Sequence, residues 1–219
     1  LENAETNVTE KQAALETAEA AVTEKEEAVE NAKTALEEKE TAYQEAQDKL
    51  AELDENYKQA VEATRAAQEK VNSAQEAVNS AQSALSSAQA TLSSTPSTIP
   101  ETRTGTSADG TTYTYTVQVP NPAYAAAQQA VKEAEANLAE KEKELQAAQE
   151  ELQKCKDAEQ KALDAVNTQK EEVAQAKQAV EDAQQQLEEA EQALKTAEEE
   201  LEKAQQEVEK AEQELQKAQ

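Results

Sequence analysis

The sequence predicts an all-α fold, a long antiparallel two-helix coiled-coil hairpin with a close-packed, alanine-rich seam and a short β-hairpin at its tip. Three observations predict this fold. Apolar residues recur every seven positions in residues 1–92 and again in residues 124–218. All four prolines and both glycines lie between these two stretches. The intervening segment also contains an Asp-Gly pair followed by alternating residues, the pattern of a β-hairpin.

The seven-residue repeat of the first stretch has one row of large apolar residues, here called row a. Thirteen of its fourteen members are apolar: Leu1, Val8, Leu15, Val22, Val29, Leu36, Tyr43, Leu50, Tyr57, Thr64, Val71, Val78, Leu85 and Leu92. Row d, three positions further on, is mostly Ala. The second stretch repeats this scheme from Tyr124 to Leu215, with Ala at eleven of fourteen d positions. A strict seven-residue period predicts a left-handed supercoil.

The two rows of the seam differ in side-chain size, since row a is large and row d is small. This difference favours an antiparallel hairpin, because a large a residue of one helix then lies over a small d residue of the other. The predicted register places Leu92 near Tyr124 and Leu1 near Leu215, so the numbers of facing positions add up to about 216–219. Each helix would span roughly 140 Å at about 1.5 Å per residue. We expect a monomer with a first helix at 1–94, a β-hairpin at 95–122 and a second helix at 123–219. A parallel homodimer of extended chains is the competing arrangement.

Several positions depart from the seam pattern. Lys11, Lys25 and Lys39 recur at d, where their stems can lie on the seam while their ammonium groups reach flanking carboxylates, such as Glu191 for Lys25. Alternatively, they specify the register. Cys155 at d is interpreted as a small buried residue, with a cross-link or a reactive thiol as the alternative. A mid-helix cluster predicts a locally widened seam, with a bend or a small lateral docking patch as the alternative; its members are Leu53, Tyr57, Val61, Thr64, Cys155, Glu159 and Leu163.

The predicted hairpin turns at Asp109-Gly110, a pair typical of the two-residue type I′ turn. That loop would pair Thr106 with Tyr113, Thr104 with Tyr115 and Thr102 with Val117. Pro100 and Pro120 would then end the two strands where they meet the helices.

The sequence is compatible with three alternative roles for the hairpin. The hairpin is a cap that closes the turn between the helices, a displayed tip, or an edge strand for β-augmentation. The candidate partner-binding residues of a displayed tip are Tyr113, Tyr115, Val117 and Arg103, and a host protein or a glycan is the candidate partner. Tyrosine suits this role because it combines apolar area with a polar group.

Composition excludes several functional classes. The chain has 21 basic and 47 acidic residues, so nucleic acid and anionic membrane surfaces are not expected partners. It has no His and a single Cys, so a Ser/His or Cys/His dyad and a zinc site of these residues cannot be built. We therefore expect no enzyme activity, no cofactor and no metal. No apolar run approaches the length of a transmembrane helix, and we expect no membrane contact by this segment.

Residues 126–151 and 179–219 look like the alanine-rich coiled-coil stalks of cell-wall-anchored surface proteins of Gram-positive bacteria. The resemblance implies an extracellular location on the bacterial surface and a stalk or spacer role. Because the repeat runs to both ends of the chain, we expect a segment of a longer polypeptide. The alternative function is an adhesion or host-protein-binding module that uses the hairpin tip. A lever of the kind found in chromosome-organising ATPases is disfavoured, because the segment between the helices is too small for a hinge domain there.

Overall fold

The computed structural model describes the whole chain, Leu1–Gln219, as two helices and two strands. Helix α1 spans Glu2–Ser94, strand β1 Thr98–Thr106, strand β2 Thr112–Pro120 and helix α2 Pro122–Ala218. The two long helices pack against each other, and the two strands between them form an antiparallel hairpin. The predicted fold class is therefore confirmed.

Both helices are continuous because their residues favour helix and contain no interior breaker. Ala, Glu, Gln, Lys and Leu dominate them, and Pro122 stands at the first position of α2, where proline is tolerated. The Ser-rich end of α1 is helical as well. There the hydroxyls of Ser86, Ser87 and Thr91 donate to the carbonyl oxygens four residues earlier at 2.9–3.0 Å. These hydroxyls are therefore hydrogen-bonded within the helix and do not favour a non-helical backbone.

The chain forms two compact units, each of which contains a part of both helices. The first unit combines Leu1–Glu55 with Asp164–Gln219. Lys11 Nζ lies 2.7 Å from Glu207 Oε2, and Gln169 Nε2 donates to the carbonyl oxygen of Ala46 at 3.2 Å. Its most buried residues are Val8, Val29, Val166, Gln169, Ala183, Ala197, Val208 and Ala211. The predicted register places Lys11 beside residues 205–208, in agreement with its contact to Glu207.

The second unit, Asn56–Leu163, contains the end of α1, the β-hairpin and the start of α2. Lys70 Nζ lies 2.8 Å from Glu151 Oε1, so the helices are antiparallel here too. Ala67, Val78, Ala81, Ala127 and Leu152 are buried between them. Alanines thus form much of the core in both units.

The burial of the two rows follows the heptad pattern. Every a position after Leu1 is at least partly buried, and so is every d position except Lys39 and Ala218. Each alanine layer buries little apolar area, and burial contributes only about 25 cal/mol per Å². The stability of the pair therefore comes from the number of layers together with high helix propensity.

The seam lysines behave differently from one another. Lys11 reaches across to Glu207, as predicted for this row. The predicted contact of Lys25 with Glu191 is wrong, because the Lys25 ammonium instead lies 3.1 Å from Glu24, a nearer carboxylate on its own helix. Lys39 is the most exposed of the three, and its contact with a flanking carboxylate stays a prediction.

The hairpin loop has three residues rather than two, and the predicted strand register is wrong by one residue. Ser107 N donates to Thr111 O at 2.8 Å, and Gly110 N donates to Ser107 O at 3.0 Å. Only Gly110 has a positive φ, of 86°, whereas a type I′ turn needs a positive φ at Asp109 as well. Instead, a turn over Ala108-Asp109 is followed by Gly110 in the left-handed region, and this loop shifts every pair.

The observed register replaces each of the predicted pairs. Tyr113 faces Gly105 rather than Thr106, Tyr115 faces Arg103 rather than Thr104, and Val117 faces Glu101 rather than Thr102. Consequently, the threonines pair with one another: Thr102 with Thr116, Thr104 with Thr114 and Thr106 with Thr112.

The prediction that Pro100 ends its strand is also wrong. Pro100 is the third residue of β1 and pairs with Gln118, whereas Pro120 does end β2. Backbone hydrogen bonds join Ser107 to Thr111 at one end of the ladder and Asn121 to Ser97 at the other. Because bonded and non-bonded pairs alternate in an antiparallel ladder, Pro100 falls in a non-bonded pair and its missing N–H would have pointed outward.

Asn121 joins the hairpin to both helices. Its Nδ2 donates to the carbonyl oxygen of Pro96 at 2.7 Å, and its Oδ1 accepts from the backbone N–H of Ala123 at 3.0 Å. Its own backbone N–H donates to Ser97 O at 2.9 Å. Asn121 is thus the N-cap of α2, followed by proline at the first helical position.

We predict that Asn121→Ala loosens this joint. The variant loses the cap, which is worth about 1 kcal/mol, together with the bond to Pro96. Faster hydrogen exchange of the β1 and β2 amides, with unchanged exchange in residues 1–55, would agree with this role. Asn121→Asp retains the acceptor but loses the amide donor, so it should give an intermediate effect. Unchanged exchange in Asn121→Ala would contradict the assignment.

We predict that Glu207 stabilises the first unit above acidic pH. The hydrogen bond and charge of Lys11 lower the pKa of Glu207, and Glu207 raises the pKa of Lys11. A lowered carboxyl pKa gives stability that is present above the unfolded-state pKa and is lost as the pH falls through the folded-state pKa. The Lys11 contribution is lost only as the pH rises through its raised pKa.

The matched variants are Glu207→Gln and Glu209→Gln, which remove the same charge from the same helix. At neutral pH, Glu207→Gln should melt at a lower temperature than Glu209→Gln, and the difference should vanish once the pH falls below the titration of Glu207. Equal melting temperatures at neutral pH would contradict the contribution of the ion pair.

Candidate functional site

The predicted site residues lie together on one face of the hairpin, which we call the tyrosine face. It consists of the odd-numbered residues of the two strands: Ile99, Glu101, Arg103, Gly105, Tyr113, Tyr115, Val117 and Val119. Side chains alternate between the faces of a strand, and facing residues share a face. The one-residue shift therefore changed the cross-strand neighbours of Tyr113, Tyr115 and Val117 and placed Arg103 beside them.

The tyrosine rings are held in place but remain open to solvent. Tyr113 lies over Gly105, where an added Cβ would come within 2.8 Å of the ring carbon that carries the hydroxyl. The centroids of the Tyr113 and Tyr115 rings are 5.9 Å apart, with an interplanar angle of 39°. Tyr113 is 53% exposed and Tyr115 is 42% exposed. The two rings offer an aromatic surface, of which the Tyr113 part rests on the backbone at Gly105.

The remaining part of the tyrosine face combines an ion pair with aliphatic side chains. Arg103 Nε donates to Glu101 Oε1 at 2.9 Å, and both side chains are about half exposed. Val117 and Val119 are partly buried, and Ile99 is 37% exposed. The opposite face carries seven exposed threonines, whose hydroxyls make most of that side polar.

The surface charge is distributed very unevenly between the two units. Residues 1–55 and 164–219 together contain 33 acidic and 11 basic residues. In contrast, residues 71–131, which include the hairpin, contain only Glu76, Glu101 and Asp109 as acidic residues and Arg103 as the basic one. The hairpin therefore lies within a nearly uncharged part of a strongly acidic chain.

Three members of the mid-helix cluster, Thr64, Glu159 and Leu163, line a shallow groove in the second unit. Its volume is about 310 Å³, and Thr64, Lys156, Glu159, Gln160 and Leu163 line it. The partial burial of Glu159 beside an open groove fits the predicted widened seam.

Cys155 has a free thiol and is partly buried. It therefore follows the partial burial of the other d positions, as expected for a small seam residue. No group of three His, Cys, Asp or Glu side chains in the chain is placed to hold a metal ion. Neither helix has an apolar stretch that could cross a bilayer.

Three residues that shape the tyrosine face or hold the hairpin were not predicted from the sequence. Gly105 accommodates the ring of Tyr113, Glu101 binds Arg103, and Asn121 fixes the hairpin to the helices. Two of them had a signal in the sequence. A glycine inside a strand marks a close approach, and Asn followed by Pro before an alanine-rich run marks a helix N-terminus.

Comparisons with known proteins give no family assignment. No protein-family model, curated protein or solved structure matches the chain.

We predict that Gly105→Ala displaces the Tyr113 ring. The new methyl group would overlap the ring, which must move because the backbone on the other side is fixed by the ladder. The chemical shifts of the Tyr113 ring should change, and the hairpin should lose about 1 kcal/mol of stability through overpacking. In a Tyr113→Ala background, the same glycine substitution should cost nothing measurable. An equal cost in both backgrounds would contradict the contact.

Proposed function

We propose that this chain is a structural stalk or spacer, in which helix length and stiffness are the function. The observation that carries the proposal is the heptad seam, whose large a residues and small d residues are buried in each of the two units. Each helix alone is long enough to reach roughly 140 Å at about 1.5 Å per residue. The contact of Lys11 with Glu207 brings residues near the two chain ends together, so a hairpin of this kind could carry its β-hairpin away from a common base.

The proposed setting is the surface of a Gram-positive bacterium. It rests on the resemblance of residues 126–151 and 179–219 to alanine-rich stalks. A spacer needs no catalytic group and no cofactor, so we propose a non-enzymatic role. We also propose that the chain acts as a monomer, because its own second helix already covers the apolar row of the first.

A second candidate function is partner binding at the tip through Arg103, Tyr113, Tyr115 and Val117. The exposed pair of tyrosines within the nearly uncharged part of the chain supports this candidate. A protein or a neutral glycan could approach this surface without facing the charge of residues 1–55 and 164–219.

The spacer proposal predicts that reach follows the number of heptads. Deleting residues 15–28 together with 190–203 removes two facing pairs of heptads and preserves the phase of both rows. The chain is attached to a surface near its two ends, and a fluorophore is placed at Ala108. The height of the fluorophore should fall by about 21 Å, since each residue contributes about 1.5 Å.

The control for this experiment changes the surface and not the length. Replacing Glu198, Glu199 and Glu200 by Gln alters exposed side chains only, and the height should stay the same. A height that is independent of the deletion, or loss of helicity in the shortened chain, would contradict the proposal.

A further inference from the structure

The outer edge of β2 has unpaired backbone groups. The sheet has two strands only, so each strand has one edge without a partner. The bonds from Ser107 to Thr111 and from Asn121 to Ser97 set the alternation of the ladder. Residues in non-bonded pairs direct their N–H and C=O groups away from the partner strand. In β2 these residues are Thr112, Thr114, Thr116 and Gln118, which we call the open edge.

The open edge lacks the features that usually protect a free strand. From Thr112 to Val119 the strand contains no charged residue, no proline and no glycine. The other strand is protected, because Pro100 lacks an outward N–H and Glu101 and Arg103 carry charges. Natural proteins commonly block free edges with charge, proline or a bulge. The two edges of this sheet therefore differ, and the edge of β2 is the one that can accept another strand.

The side chains beside the open edge also suit an added strand. β2 alternates β-branched residues with tyrosine, and such residues favour extended structure. A strand paired with β2 would place alternate side chains next to Tyr113 and Tyr115, whose rings are about half exposed. Backbone hydrogen bonds would supply affinity, and the rings would supply contacts to side chains.

Charge selects the occupant of this edge. The chain as a whole has a net charge of −26, so its long-range field attracts a basic polypeptide and repels a second copy or an anionic polymer, while the nearly uncharged residues 71–131 leave the edge itself open to the arriving strand. We propose that the open edge of β2 binds an extended, basic segment of another polypeptide as a third strand. This inference rests on the tip-binding candidate function and makes its partner a polypeptide rather than a glycan.

The test uses proline at two outward-facing positions. Thr116→Pro removes an N–H from the open edge, and Thr104→Pro removes the equivalent group from the outer edge of β1. Neither group belongs to the ladder between β1 and β2, and Pro100 and Pro120 already occupy outward positions of the same kind. The second variant is therefore the matched control for the first.

The probe is an acetylated and amidated peptide, Lys-Val-Thr-Val-Lys-Val-Thr-Val-Lys, which has the length of β2. Titration calorimetry with the full chain should show saturable binding that weakens about tenfold or more in Thr116→Pro, since a backbone hydrogen bond is lost and the ring excludes the strand. Thr104→Pro should bind within about twofold of the unmodified chain. The amides of Thr112, Thr114, Thr116 and Gln118 should gain protection from hydrogen exchange on binding.

Five results would overturn the inference, and the first four concern the peptide or a second copy. They are no saturable binding up to about 1 mM, the weak end of specific affinity; equal binding by Thr116→Pro; equal loss in both variants with both hairpins folded; and a dimer of the unmodified chain that Thr116→Pro dissolves. The last result would make a second copy the occupant. Binding of a neutral glycan that is lost in Tyr113→Ala but retained in Thr116→Pro would preserve the tip-binding function while rejecting the strand. The heptad deletion tests the spacer independently of all these outcomes.

Discussion

The close packing of large residues against alanine is the interaction on which the rest of the structure depends. Alanine leaves no side chain beyond Cβ, so two helix backbones can approach closely where Val or Leu of one lies over Ala of the other. The buried set contains both kinds, with Val166 and Ala67 each 2% exposed. An equal seam of large residues on both rows would separate the helices. The size difference between the rows therefore favours the antiparallel arrangement, and the heptad period maintains it.

The same seam leaves the outer surface unconstrained by packing, and the sequence uses that surface in two ways. Residues 1–55 and 164–219 carry most of the negative charge, which favours solubility and repels other copies. Residues 71–131 have Ser, Thr, Asn and Gln at the corresponding surface positions and are nearly uncharged. Charged and uncharged polar residues are both compatible with a helix, so helix formation alone does not explain why the charge is concentrated in residues 1–55 and 164–219. This distribution of charge leaves the hairpin, with its tyrosines and open strand edge, as the surface that a partner can contact without meeting a dense array of carboxylates.

The helices could be predicted from the sequence because their pattern is redundant. Dozens of positions support the same period, so a single exception such as Lys39, which is exposed, does not change the assignment. The hairpin has no such redundancy. Asp109-Gly110 is compatible with both a two-residue and a three-residue loop. Which loop forms depends on the φ of Asp109, and the difference between the two loops shifts every cross-strand pair by one residue. Alternation groups Tyr113, Tyr115 and Val117 whatever the loop, whereas the places of Arg103 and Gly105 beside them depend on the register.

The contacts of long side chains were equally difficult to predict. A lysine can reach several carboxylates of similar distance, and Lys25 contacts Glu24 on its own helix, whereas Lys11 bridges to α2. Such exposed pairs contribute little energy each, so no strong preference in the sequence identifies them. Gln169 is different, because it is buried at a d position and its amide donates to the carbonyl oxygen of Ala46. The heptad pattern shows only that this d position is not Ala and gives no signal for the contact.

Cross-linking within one chain tests the central claim most directly. In a Cys155→Ala background, cysteines replace Lys11 and Glu207, whose side chains are in contact in the structure. A short bis-maleimide is then added at low protein concentration. The antiparallel hairpin predicts a cross-linked product of monomer mass, 23.7 kDa, in high yield. A product of twice that mass, with little intramolecular cross-linking, would show that the helices pair between chains and would contradict the account.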